Sequence, residues 1–264
     1  MQVTIYSNGA HQTEPARVMA AGFAAHGINA TISSPRQVAP CDLAVVWGMR
    51  QDPIIGAQRR IGGHFLVMER AYIGDRFHWI SLGFDGLNGR ARFPKIDDNL
   101  QRWNKHFAPL LKPWARTIGV TAVIMGQVRG DVSCRHIDFP KWVGEKNAAL
   151  KAKGYNPYLR LHPGDQKLHV PGVAEIKGSL EEALGKAELV VTYNSNSGVD
   201  AVMAGVPVYA EDPGSMVYTL SSKDYKPNMG DRTNWQKYMA YTQWLPEEIE
   251  RGEAWEALRT VKLG

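Results

Sequence analysis

Residues 189–212 read LVVTYNSNSGVDAVMAGVPVYAED: an apolar run, a polar Ser-Asn-Ser-Gly step, a small-residue segment, then a second apolar run. The spacing predicts a strand ending at Thr192 or Tyr193, a turn from Asn194 to Gly198, a helix from Gly198 to Ala204 and a strand from Val206 to Ala210. Backbone N–H groups and hydroxyls then sit at the carboxyl edge of a parallel sheet, where α/β proteins bind ligands. A plain helix cap made by Ser195 or Ser197 accounts for the same residues equally well.

The rest of the chain follows the same grammar. QVTIYSN, INATIS, DLAVVWG and HFLVME read as strands, with helices at Pro15 to His26 and in PIIGAQRRI. Pro53 suits the first turn of the latter helix. TIGVTAVIMGQV, PYLRLHPG and VAEIKG continue as strands, with helices in FPKWVGEKNAALKAKG and SLEEALGKA. Ser179 and Glu182 have the spacing of a capping box. Alternating strands and helices require parallel sheets with helices on their faces. The final residues, from DRTNWQKYMAYTQW through LPEEIERGEAWEALRTV, read as two helices.

Regularity fails between Arg70 and Lys95, in RAYIGDRFHWISLGFDGLNGRARFPK. Long irregular segments inside compact domains are usually functional, and the aromatics here predict a folded loop built around a site. Charge concentrates nearby. Residues 50–95 hold eight basic side chains against four acidic ones, most of the chain's net charge of +5. That excess suits either a polyanionic partner or a solvated basic face.

Composition excludes several classes. With 264 residues, 44% hydrophobic and 22% charged, the chain reads as a globular protein of one large or two ordinary domains. MQVTIYSNGAHQ lacks the pattern of a signal peptide, and no apolar run approaches the roughly 20 residues of a membrane span. Cys41 and Cys134 are expected to be free thiols in a cytoplasmic protein. The eight histidines show no paired metal-ligand spacing, so no catalytic metal is predicted.

PYLRLHPGD at 157–165, followed by SLEEALGKAELVVTYNSNSGVDAVMAGVPVYAEDP, resembles glycosyltransferases of the GT-B type, including bacterial capsule-sugar transferases, and is similar to nucleotide-sugar epimerases. ERAYIGDRFHW, GLNGRARF and AYTQWLPEEIERGEAW look similar to glycosyltransferases of bacteriophages that modify DNA. The resemblance implies two Rossmann-like domains with a cleft between them: an acceptor-binding domain over 1–112 and a nucleotide-sugar-binding domain over 113–220. C-terminal helices over 221–264 would brace the first.

It also implies hexosyl or pentosyl transfer from a nucleotide sugar, UDP-linked in the first instance. The favoured acceptor is a 5-hydroxymethylpyrimidine in double-stranded phage DNA, in the host cytoplasm and without a membrane partner. A surface polysaccharide acceptor, an epimerase and a non-enzymatic nucleic-acid-binding protein are the alternatives. Magnesium carried by the donor diphosphate would leave little trace in the sequence and is not predicted.

The growing charge on a diphosphate leaving group calls for cations and N–H donors. Arg160, His162, Ser195, Asn196, Ser197 and Gly198 are the donor-site candidates, and Asp200 the candidate for a ribose hydroxyl. An inverting transfer needs a carboxylate base, for which Glu69 and Asp75 are candidates. Arg70, Arg76, Arg90 and Arg92 would contact phosphates, and Tyr72, Trp79 or Phe84 would stack on an extruded base.

Overall fold

The computed structural model describes residues 1–115 and 119–263. The chain divides into two compact units: Met1–Phe107 with Gln236–Gly264, and Ala108–Trp235.

In the first unit, β1 (Val3–Tyr6) leads into α1 (Ala10–Ala24) and β2 (Ala30–Ser33). After β3 (Leu43–Trp47) come α2 (Asp52–Arg60), β4 (His64–Arg70), β5 (Ile80–Phe84) and α3 (Gln101–His106). In the second unit, β6 (Thr121–Met125), α4 (Phe139–Ala152), β7 (Asn156–Arg160) and β8 (Ala174–Glu175) precede α5 (Leu180–Lys186). Then come β9 (Leu189–Thr192), α6 (Ser197–Met203) and β10 (Val208–Ala210). The division into units falls within α7 (Thr233–Met239), after which β11 (Gln243–Trp244), α8 (Pro246–Glu250) and α9 (Glu253–Leu258) complete the first unit.

Among the described residues each unit holds one sheet. That of the second has the order β10-β9-β6-β7-β8 and is parallel throughout. Numbered within the unit this is 5-4-1-2-3, the Rossmann winding, whose order reverses between β6 and β9. Every residue of β9 is buried, as a strand covered on both faces requires. Phe139, Trp142, Val143 and Leu150 of α4 close the core against Ala122, Ile124, Leu159 and Val191. Each large apolar side chain buried there contributes roughly 1.5–3 kcal/mol. The Ser179–Glu182 capping box forms with both of its hydrogen bonds, and Gly154 ends α4's last turn at φ +85°.

The sheet of the first unit runs β11-β5-β4-β3-β1-β2. Strands β2, β1, β3 and β4 are parallel, and the order reverses between β1 and β3. Strands β5 and β11 add on antiparallel. The fold is α/β with two Rossmann-like units.

Two expectations need correction. The segment after Arg70 is not one long loop: ISLGF forms β5, paired with β4 from Leu66↔Phe84 to Arg70↔Ile80. Its apolar residues are buried on both faces, so the half-buried alternation that marks a strand is missing. The tail is not two helices. The first stops at Met239 and is followed by β11, while Gly252, at φ +81°, separates α8 from α9. Thr117 and Ile118, the start of the predicted strand TIGVTAVIMGQV, lie outside the described residues.

Candidate functional site

In the second unit the carboxyl ends of β6, β7 and β9 carry a polar assembly. Gln127 and Asn194 sit at the order reversal, both buried. Gln127 Nε2 donates to Asn194 Oδ1 at 2.8 Å, and Asn194 N–H donates back to Gln127 Oε1 at 3.1 Å. Asn194 Nδ2 donates to Asp212 Oδ2 at 2.6 Å and to the Ser133 carbonyl at 2.8 Å. One asparagine thereby ties together the loops after β6, β9 and β10.

Next to this assembly, Gly126 brings the end of β6 against the end of β7. Its N–H donates to the Arg160 carbonyl at 2.8 Å. A Cβ at Gly126 would lie 2.8 Å from that oxygen and 2.9 Å from the His162 nitrogen, so only glycine fits.

Arg160 ends β7 with a guanidinium Nε that is buried and lacks a hydrogen-bond partner among the described residues. The Nδ1 of His162 accepts from the Gly164 N–H at 2.9 Å. In the neutral ring this assigns the proton to Nε2, which is then a donor. Asp165 forms a two-pronged pair with Arg129, at 2.7 and 2.9 Å, which clamps the His-Pro loop to the loop after β6. That guanidinium holds the Asp165 carboxyl down to about 2.

The Ser-Asn-Ser-Gly turn differs from expectation. Its amides are consumed locally: Ser195 N–H donates to Thr192 Oγ1 at 2.8 Å, Ser197 N–H to Ser195 Oγ at 3.2 Å, and Gly198 N–H to the Ser195 carbonyl at 3.0 Å. The nest of free N–H groups is absent at these positions. Gly198 also serves packing rather than ligand approach, since a Cβ there would lie 2.8 Å from Val217 Cγ2 and 3.3 Å from Thr192 Cγ2. Asn196 and Asp200 stand in the first part of α6, where their amide and carbonyl join the local turn and helix bonds.

In the first unit, Glu69 and Arg70 end β4. Glu69 Oε1 accepts from the Arg70 N–H at 2.8 Å, and its Oε2 comes within 3.1 Å of where a Gly48 Cβ would stand. Glu69 is thus placed against Gly48 at the end of β3, whose last residue, Trp47, meets the His11 ring edge-on at 6.1 Å. Asp75 accepts from the Phe77 N–H at 2.9 Å and shapes the following turn. Arg76 does not pair with it in that turn but donates through Nε to the Ala71 carbonyl at 2.8 Å.

Two of the three expected stacking aromatics are buried. Tyr72 is 4% exposed and Phe84 1%, so neither offers a face to a base. Burial pushes the Tyr72 hydroxyl up to about 12. Trp79 packs on His106 and Phe107, with ring centres 5.2 and 5.1 Å away. Arg92 reaches the Lys262 carbonyl at 3.4 Å and Asp85 at 3.8 Å, and Arg90 lies in a single 3₁₀ turn. A cavity of about 680 Å³ in this unit, bordered by Asp98, Lys105, His106 and Tyr241, contains none of the predicted site residues.

His11, Trp47, Gln127, Asn194 and Asp212 were not predicted. The available signal was a polar residue directly after a wholly apolar strand, as in Gly126-Gln127 and Tyr193-Asn194. Among the described residues no group of three or more His, Cys, Asp and Glu side chains is placed to hold a metal ion. No described helix is long and apolar enough to cross a membrane.

No protein-family model matches the chain, and no curated protein does. Among solved structures it is similar to the beta Kdo 2,7 transferase of Thermosulfurimonas dismutans KpsC, with a TM-score of 0.61 and 18% identity over 97% of this chain and 100% of that one. The beta Kdo 2,4 transferase of the same KpsC gives 0.57 and 16% over 91% of this chain and 90% of that one. At such identities the likeness is one of fold, and it matches the two Rossmann-like units.

Proposed function

We propose that the chain is a glycosyltransferase that takes its sugar from a nucleotide-activated donor, with UDP sugars the first to be tried. The observation that carries this reading is the buried Arg160 Nε, without a partner among the described residues, on the strand next to the order reversal of a Rossmann sheet. A buried N–H donor costs free energy unless an acceptor completes it, and a donor phosphate oxygen supplies one that suits a guanidinium. His162 Nε2–H adds a second donor on the same loop, and the Ser195 and Ser197 hydroxyls a third group on the next. Glu69, and after it Asp75, remains the candidate base.

A hydroxymethylated base in duplex DNA draws support as acceptor from the basic excess of residues 50–95. Extrusion needs an aromatic face, and burial of Tyr72 and Phe84 withdraws two of the three expected ones. A saccharide hydroxyl places no such demand, and we take it as the better-supported acceptor.

The test combines the protein with hexosyl and pentosyl nucleotide sugars and three acceptors: hydroxymethylated duplex DNA, unmodified DNA and a capsular oligosaccharide. Mass analysis of nucleosides and glycans reads the product. A glycan gaining one sugar is the expected outcome. Conversion of the nucleotide sugar without acceptor would mark an epimerase, and failure to bind any nucleotide or nucleotide sugar would remove the reading.

A further inference from the structure

Arg70 closes β4 with its guanidinium over two rings: the carbon centre is 5.6 Å from the Trp47 centroid and 4.5 Å from that of Phe77. Among the described residues it makes neither a side-chain hydrogen bond nor an ion pair; its recorded hydrogen bond is the backbone N–H to Glu69 Oε1. Phe77 is 80% exposed, and the Asp75-capped turn holds it there. An exposed phenylalanine gains nothing from burial, so its placement over a cation is what the turn achieves. Stacking fixes the plane of the guanidinium and leaves its N–H edge for a planar or tetrahedral anion.

We propose that this stack is the receptor for an acidic group, carboxylate or phosphate, on a saccharide acceptor. The assignment rests on the glycosyltransferase reading. The geometry favours a single anion on a sugar over a polyphosphate track. Of the arginines expected at phosphates, Arg70 is held against aromatic rings, whereas Arg76 and Arg92 are turned onto the Ala71 carbonyl, the Lys262 carbonyl and Asp85. A row of phosphates needs several open cations. The apolar ring of Phe77 suits the C–H face of a pyranose beside that anion.

Calorimetry of the full chain tests this with a hexuronate oligomer, its neutral methyl ester, a hexose phosphate and a short duplex DNA. Binding of the hexuronate or the hexose phosphate, at least about tenfold tighter than the ester, is expected, and which of the two binds identifies the anion. Arg70→Gln should abolish the preference. Arg70→Lys should lose most of it, because a point charge lacks the fork and the stack. Phe77→Ala should weaken it several-fold. Circular dichroism and an unchanged unfolding midpoint confirm that each variant folds.

Equal affinity for acid and ester, no binding of either acid, full retention in Arg70→Lys, or preference for the duplex would each overturn the proposal. Binding of nucleotide sugars to the unaltered protein, measured separately, decides the transferase reading, so the two can fail independently.

Discussion

Gln127 and Asn194 exchange two hydrogen bonds, at 2.8 and 3.1 Å, across the point where the second unit's sheet reverses its strand order. Each side chain thereby pairs at the one place where diverging connections would open a polar crevice. Asn194→Ala strips partners from the Gln127 amide, the Ser133 carbonyl and Asp212 Oδ2 at once. A buried polar group left unsatisfied costs about 1–3 kcal/mol, so the variant should unfold at clearly lower temperature or denaturant. Equal stability of Asn194→Ala and the parent in a urea titration would show that the network contributes nothing.

Arg160 gives the opposite pattern. A guanidinium with a structural role gives up hydrogen bonds when removed, whereas the buried Arg160 Nε has none to lose among the described residues. Arg160→Ala should leave the unfolding midpoint unchanged or raise it, while nucleotide-sugar affinity drops by roughly tenfold to a hundredfold, the value of a hydrogen bond to a charged group. Scanning fluorimetry with and without a nucleotide sugar separates the two effects. A lower midpoint with unaltered affinity would make Arg160 a framework residue.

The strands legible in the sequence were those with a continuous apolar run and turn residues at both ends, such as LVVT and LAVVW, because a parallel strand covered on two faces carries its whole signal locally. Strand β11 is two residues long and exists through its pairing with Ser81 and Ile80, more than 150 positions away in the chain, so no local pattern marks it. The site divided the same way. Arg160 and His162 were readable as a cation and an imidazole after a strand, whereas the use of the Ser195–Gly198 amides depends on Thr192 Oγ1 and Val217, whose contacts only the fold supplies. Likewise, the aromatics of the Arg70–Lys95 segment gave no sign of which would be buried. Tyr72 and Phe84 went inward and Phe77 outward.

Acid should weaken the first unit in two stages. Arg102 grips Glu248 through both carboxylate oxygens, at 2.5 and 2.8 Å, with the two side chains only 10% and 3% exposed. Burial raises the Glu248 carboxyl, but the Arg102 guanidinium outweighs it and the net shift is downward. His106, 3.4 Å from Glu248, is also held below its ordinary value, by burial and then by the charge of Arg102. The unfolded chain therefore takes up protons before the folded one at both groups. Stability present at neutral pH falls first as pH drops below about 6.5, through His106, and again below about 4.5, through Glu248. Midpoints recorded from pH 7 to pH 3 should trace this. His106→Gln should flatten the upper part alone. Glu248→Gln, which leaves Arg102 buried without its counter-charge, should cost about 3–5 kcal/mol at neutral pH.

The last prediction concerns how the C-terminal segment holds to α1. Gly22 lies on the face of α1 that meets α8, and a Cβ there would stand 2.1 Å from the Ile249 carbonyl oxygen. Around it, Phe23 and Trp255 have ring centres 4.7 Å apart, and His26 Nε2 sits 2.9 Å from the Gly252 carbonyl. In a helix with an open face, replacing an interior glycine by alanine stabilises by about 1 kcal/mol through helix propensity. Here the added methyl meets backbone that cannot step aside without lifting α8, so overpacking of about 1–3 kcal/mol outweighs that gain. Gly22→Ala should lower the unfolding midpoint and speed amide exchange in α8 and α9 ahead of the strands. A higher midpoint would mean that the tail does not dock on α1 in solution, since only then does the intrinsic preference for alanine decide the sign.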